Sequence, residues 1–318
     1  MAIIYCESKK MFYLESKEIT YAFYINQIGF PEHLYFGRRV GHDALNYAYS
    51  GGSTSHRAYI PECNISYNDL PAEAPFYGNG DFREPMLGIL DTKGDRLLQL
   101  VYESHEILQV KPAIPGMPSL RGGETLKLTL KDMTRELRVN LYYTVYEDAA
   151  AITRRAEIVN GGEAPVSLTR AYSFCLDLPR NNYELITLHG VWARECEMER
   201  VPMHHGVMEV DSQRGSSSAT NNPFMAVVAP HTDEFRGEAY GINLVWSGSY
   251  VPKAEAGTGG ASRILGGIHD FDFRWKLNAG ETFYTPEAVL VYAANGLNAM
   301  SQTFHDLYRG YLIPEKHV

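Results

Sequence analysis

The side chains best suited to chemistry are scattered along this chain, and no spacing gathers them into a recognisable catalytic group. Ser216-Ser217-Ser218 has no local partner that would mark one hydroxyl as a nucleophile. Neither a GxSxG turn nor an HExxH pair occurs. His204 and His205 are adjacent, and neighbours on a strand face opposite ways, so the two imidazoles cannot chelate one metal. Gly257-Thr258-Gly259-Gly260 lacks the Lys-Ser/Thr of a phosphate loop and lies between strand-like runs, which predicts a turn. No metal or cofactor is expected. Asp81-Phe82-Arg83 is more suggestive: on an extended segment residues two apart share a side, so the pair either bridges and pins its loop or grips the vicinal hydroxyls of a sugar. Trp192-Ala193-Arg194-Glu195 allows the same two readings, whereas Trp246 and Trp275 fall inside alternating runs and are expected in the core. Retaining cleavage of a glycosidic bond needs two carboxylates about 5 to 5.5 Å apart. The 38 acidic residues offer many pairs, and the sequence nominates none.

The chain that must position these groups has 318 residues, 45% of them hydrophobic, enough for a large packed core. Its net charge of -9 argues against a sequence-independent hold on nucleic acid. No run of about eighteen apolar residues exists to span a membrane. The start, MAIIYCESKK, carries its positive charges after a short apolar stretch, the reverse of a secretory signal, so a cytoplasmic location is expected. Cys6, Cys63, Cys175 and Cys196 show no CxxC pairing and are expected as reduced thiols, mostly in the core. The 22 Tyr, 13 Phe and 3 Trp suit a sheet protein, and some of these rings can stack on sugars.

Period-two alternation dominates. Leu137, Val139, Leu141, Tyr143 and Val145 point to one face, Leu126, Leu128 and Leu130 to one side of Glu124–Leu130, and Ile152, Ala156 and Ile158 mark a half-buried strand ending in the turn Asn160-Gly161-Gly162. Further strands are predicted at Ile19–Ile25, Leu97–Tyr102, Val166–Leu176, Phe224–Val228, Tyr240–Ser247 and Phe283–Tyr292. Roughly fifteen or more strands imply two stacked antiparallel sheets. One amphipathic helix closes the chain, with Leu297, Met300, Phe304, Leu307, Tyr308, Tyr311 and Leu312 at spacings of three and four and Pro314 behind them. The irregular stretch from Gly41 to Met86 is long for a compact β domain, which marks it as functional or interface-forming.

A series of short motifs then matters in combination. It begins with His33-Leu34-Tyr35-Phe36-Gly37-Arg38-Arg39, Pro75-Phe76-Tyr77-Gly78 and Gly116-Met117-Pro118. It continues through Arg214-Gly215-Ser216-Ser217, Asn222-Pro223-Phe224, Gly237-Glu238-Ala239-Tyr240-Gly241 and Trp246-Ser247-Gly248. It ends with Gly280-Glu281-Thr282-Phe283, Thr285-Pro286-Glu287 and Met300-Ser301-Gln302. In this order and at these spacings the chain resembles the N-terminal domain of family 36 glycoside hydrolases, the bacterial α-galactosidases.

The resemblance implies a mainly β fold, a β-supersandwich of two large stacked antiparallel sheets with galactose mutarotase-like architecture. Residues 1–313 would form the domain, with a C-terminal helix at about 297–313, and 314–318 would start a linker to a catalytic (β/α)8 barrel. The family's nucleophile stands in a Lys-Trp-Asp strand end and its acid/base in a Cys- and Gly-rich motif ending in Arg-x-Asp; neither string occurs here. The chain is therefore expected to hydrolyse nothing by itself and to serve a retaining exo-α-galactosidase acting on melibiose or raffinose-type ends. Its partners would be that barrel, the α-galactoside reached through it, and further copies in a homo-tetramer. In the family a long early loop walls a neighbouring subunit's active site; here it spans about Gly41 to Glu62, with His42, Asp43 and Arg57 as its substrate-contact candidates. Asp81, Arg83, Trp192, Arg194, Arg214, Asn222, Glu238 and Tyr240 are motif residues expected to be structural. Gly51 to Ile60 and Ile268-His269-Asp270 depart from the family's usual residues. Two other readings are a stand-alone epimerase of the mutarotase kind, with a His acid and a Glu base converging in a sheet cleft, and a carbohydrate-binding module.

Overall fold

Alternating residues become twenty antiparallel strands in this computed structural model, which describes residues 2–45 and 66–314. They form three sheets. The first is a four-stranded meander of Ile3–Cys6, Met11–Glu15, Ile19–Ile25 and Pro31–Arg38. A six-stranded sheet is built around Val166–Leu178, which pairs with Ser262–Ile268 along its second half and with Leu87–Leu90 and Trp275–Leu277 along its first. The third holds ten strands and has Glu287–Ala293 and Ala151–Asn160 at its middle and the hairpin Glu184–Val191 and Arg194–Pro202 at one edge. The fold class is thus mainly β, with two large antiparallel sheets, and the N-terminal meander adds a smaller third one.

The period-two pattern decides what each face touches. In Glu287–Ala293, Ala288, Leu290 and Tyr292 enter the main core, while Val289, Val291 and Ala293 face the helix on the other side of the sheet. Leu290 pairs with Ile152 and Val291 with Ala151, so the two faces stay in step across strands. The helix Gly296–Leu307 lays Leu297, Met300, Phe304 and Leu307 on that outer face. Its first amides are not orphaned: Gly296, Leu297 and Asn298 donate to the carbonyls of Gly237, Asp233 and Glu234. Gly296 has φ of 85°, and a Cβ there would lie 2.5 Å from the Asp233 carbonyl oxygen.

Several sequence expectations need correction. The helix does not run evenly to 313; after Leu307 it widens to a π turn over Tyr308–Leu312. The run Phe283–Tyr292 is two strands, Thr282–Tyr284 and Glu287–Ala293, because Pro286 has no N–H to donate and Thr285 turns its hydroxyl to the Ala156 backbone. Trp275 is 50% exposed, since its strand is three residues long at a sheet edge, and its ring lies 5.3 Å from that of Phe283. Trp246 sits just past its strand, half-buried, with its indole N–H on the Ser249 carbonyl. Of the described cysteines only Cys175 fills the core; Cys6 is half-buried and Cys196 exposed, and all three are free thiols. Cys63 lies outside the described residues.

Candidate functional site

The long connection between Pro31–Arg38 and Leu87–Leu90 is the natural place for function, and both of its described feet are fixed. At the first foot a short 3-10 turn spans His42–Leu45. The His42 ring stacks on Tyr13 at 4.1 Å, with Nε2 3.2 Å from Glu15 Oε1, and Leu45 is buried beside Met11, Tyr13 and Ala22. Asp43 lies in the same turn. Arg57 lies outside the described residues, as does most of the Gly41–Glu62 loop.

The second foot is a buried charge network. Glu73 has no exposed surface. Its carboxylate accepts from Tyr21 (2.7 Å), Tyr143 (2.7 Å) and His33 Nδ1 (2.7 Å), and it pairs with Arg154 at 2.9 Å. Arg154 also donates to Cys175 O and lies 4.2 Å from the Tyr143 ring. One loop carboxylate thereby ties the N-terminal meander, through Tyr21 and His33, to the ten-stranded sheet, through Tyr143 and Arg154. Burial alone would raise the Glu73 carboxyl, but Arg154 beside it and the His33 and Tyr143 hydrogen bonds hold it below its ordinary value.

Asp81 and Arg83 belong to a second network. Arg83 Nε is 2.8 Å from Asp81 Oδ1, and its NH2 donates to the carbonyls of Tyr67 and Leu70. Asp81 Oδ2 also receives Arg263 NH1 at 2.9 Å, and Arg263 makes a fork with both oxygens of Asp177 at 2.9 Å. Asp177 in turn accepts the Ala72 amide at 2.7 Å. Burial opposes ionisation of Asp81, yet Arg263 and Arg83 pull its carboxyl below the usual range. With both Asp81 oxygens and the Nε and NH2 of Arg83 bonded within the protein, the pair holds residues 66–84 onto the six-stranded sheet.

The remaining motif residues fall in three places. Trp192 is 93% exposed at the tip of the edge hairpin, with Arg194 exposed beside it. Asn222 sits on the adjoining strand, its amide 3.5 Å from Cys196 Sγ. Arg214 is exposed in a separate turn held by Gly215 N–H on Ser249 Oγ. Glu238 and Tyr240 line a cavity of 270 Å³ below the meander. Among the described residues no cluster of His, Cys, Asp or Glu is arranged to hold a metal ion, and no helix is long and apolar enough to cross a membrane.

Where the C-terminal helix ends, the chain is firmly seated. Arg121 donates its amide to Tyr311 O at 2.8 Å and its guanidinium to the Ile313 carbonyl at 2.9 Å. Tyr311 packs its ring at a tilt against Tyr146 and donates to Asp148 at 2.7 Å, and Tyr308 donates to Asn243. The segment carrying Arg121 is itself pinned: Lys111 pairs with buried Glu287, whose other oxygen accepts the Leu120 amide at 2.7 Å.

The buried partners Glu73, His33, Asp177 and Arg263 were not singled out from sequence. Arg154 was within reach: Ile152, Ala156 and Ile158 face inward, so position 154 shares their face, and an arginine there demands a buried carboxylate.

Comparison with known proteins gives the family. The profile of the "Glycosyl hydrolase family 36 N-terminal domain" matches residues 29–278. Alpha-galactosidase AgaA of Geobacillus stearothermophilus is 38% identical over 97% of this chain and 43% of its own length. The crystal structure of alpha-galactosidase AgaB from the same organism superposes with a TM-score of 0.93 at 37% identity, covering 99% of this chain and 44% of that one. A variant of AgaA in complex with raffinose superposes with a TM-score of 0.91 at 38% identity, over 96% and 44%. The chain spans less than half the length of these relatives. It belongs to family 36 of the glycosyl hydrolases and forms that family's N-terminal domain.

Proposed function

We propose that this chain is the non-catalytic front domain of a retaining exo-α-galactosidase of the cytoplasm, an enzyme that removes terminal α-galactosyl groups from melibiose and raffinose-type sugars. Residues 1–313 form the domain and 314–318 lead into the catalytic barrel. The domain seats the barrel at the end of its C-terminal helix and drives assembly into a homo-oligomer. Its loop around Gly41–Glu62, through His42, Asp43 and Arg57, walls a neighbouring subunit's active site.

One observation carries this reading. The family model matches residues 29–278, relatives named α-galactosidases that align with nearly the whole chain are more than twice as long, and the nucleophile and acid/base strings do not occur in these 318 residues. Complexes of AgaA variants with raffinose and with stachyose support the substrate class. The fixed feet of the loop and the Arg121 seat for Leu312 and Ile313 support the roles of wall and platform. The test is hydrolysis of p-nitrophenyl α-galactoside by the purified chain, with light scattering on the same sample. No turnover and a mass above the monomer are expected; turnover, or a strictly monomeric chain, overturns the corresponding part of the proposal.

A further inference from the structure

The sequence holds three Asn-Gly steps: Asn79-Gly80, Asn160-Gly161 and Asn295-Gly296. Each presents the same chemistry. The glycine amide nitrogen gives up its proton and attacks the asparagine Cγ. A C–N bond forms, the Cγ–Nδ2 bond breaks, and Nδ2 leaves as ammonia with that proton. The five-membered succinimide then adds water at either carbonyl, giving aspartate or isoaspartate. Nothing is oxidised or reduced, and water is the co-reactant. Glycine favours ring closure because no Cβ hinders the approach and its dihedral angles are free. A glycine N–H held in a hydrogen bond keeps both its proton and its place, so the fold decides which step reacts.

At two of the steps the fold closes the route. Gly161 donates its N–H to the Glu136 carbonyl at 2.8 Å. Asn160 is buried and its side-chain amide is tied at both ends, Nδ2 to the carbonyls of Ala164 (2.9 Å) and Leu277 (3.1 Å) and Oδ1 to the Gly162 N–H (3.1 Å). Gly296 donates to the Gly237 carbonyl at 2.9 Å and opens the C-terminal helix.

The third step is open. Asn79 and Gly80 are half-buried in the irregular run between Phe76 and Leu87, outside any strand or helix. The Gly80 N–H has no acceptor among the described residues. The Asn79 side chain is held by one bond, from Nδ2 to the Leu98 carbonyl at 2.6 Å. Leu98 is itself buried and donates its own amide to the Tyr77 carbonyl at 3.3 Å, so Tyr77 and Asn79 together clasp it. A carboxylate in place of the Asn79 amide would turn that donor into an acceptor facing a carbonyl oxygen.

We propose that Asn79 is a site of spontaneous deamidation and isomerisation, selected over Asn160 and Asn295 by the free Gly80 amide, and that the product breaks the clasp on Leu98.

The test holds the purified 318-residue chain at mildly alkaline pH and follows the three asparagines by peptide mass spectrometry, with isoaspartate identified by electron-transfer fragmentation. Asn79 should convert about tenfold faster than Asn160 or Asn295, the factor set by the hydrogen bond that each of those glycines must first give up. In urea the three rates should converge, because the flanking glycine is common to all. Asn79→Gln, whose longer side chain disfavours ring closure, should abolish the fast modification and leave the two slow ones unchanged. Asn79→Asp, which carries one of the two products, should speed amide exchange at Tyr77–Gly80 and Leu98 and leave exchange in Val166–Leu178 unchanged. Conversion of Asn79 no faster than that of the other two in the folded chain overturns the site, and so does fast modification that survives Asn79→Gln. A preference for Asn79 that persists undiminished in urea overturns selection by the fold. Unchanged exchange in Asn79→Asp overturns the breaking of the clasp.

Discussion

Glu73 and Arg154 show how a loop is fixed by a charge pair that no single neighbour could justify. Neither has more than 1% of its surface exposed, and each draws partners from segments distant in sequence. Removing one member strands the other, which costs about 3 to 5 kcal/mol. Arg154→Met should therefore lower stability by about that amount in urea denaturation; a loss under about 1 kcal/mol would mean the pair is not what holds the loop. The same residues set the acid limit of the fold. Glu73, Asp81 and Asp270 are all held below their ordinary carboxyl values: burial opposes ionisation in each, and Arg154, Arg263 and Arg170 respectively override it. A carboxyl depressed in the folded state stabilises above its unfolded value, about 4, and that stability is lost as pH falls through the folded value. Glu32 and Glu255 are raised by burial and act in the opposite sense, losing stability as pH rises through their folded values. A stability–pH curve that is steepest below about pH 4, and shallower there in Asp81→Asn, is expected.

At the scale of elements, the Gly237-Glu238-Ala239-Tyr240-Gly241 motif acquires a mechanical reason. A Cβ on Gly241 would lie 2.6 Å from the Phe304 ring and 2.7 Å from Met300 Sδ, so glycine lets the C-terminal helix sit directly on the sheet. Gly241→Val should lift the helix and expose its apolar stripe, read as faster amide exchange over 296–307 with the sheet core unchanged. Phe304→Ala should cost about 3 to 5 kcal/mol in denaturant unfolding. Alternation and helical spacing made these elements legible: Ile19–Ile25 matches its predicted bounds, and Leu297, Met300, Phe304 and Leu307 are the buried helix positions. What escaped is set by distant partners. The pairing of Asp177 with Arg263 spans 86 residues and that of Glu73 with Arg154 spans 81, and no local period encodes either. Trp275 misled because its strand lies at an edge, where alternation predicts facing but not cover.

On the scale of the whole molecule, hydrogen bonds and buried ion pairs gather at the end of the C-terminal helix and at the described roots of the long loop. The edge hairpin carries Trp192 exposed at its tip. Family membership was readable because many weak motifs kept their order; the roles of His42, Asp43 and Arg57 were not, because that loop departs from the family's residues. The account stands on the chain being a scaffold for chemistry performed elsewhere. Its most direct test is release of galactose from raffinose, followed across the chromatographic peak of this chain with full-length AgaA as the positive control. The account predicts a rate equal to buffer at every protein concentration; galactose release that rises in proportion to this chain and tracks its peak would contradict it.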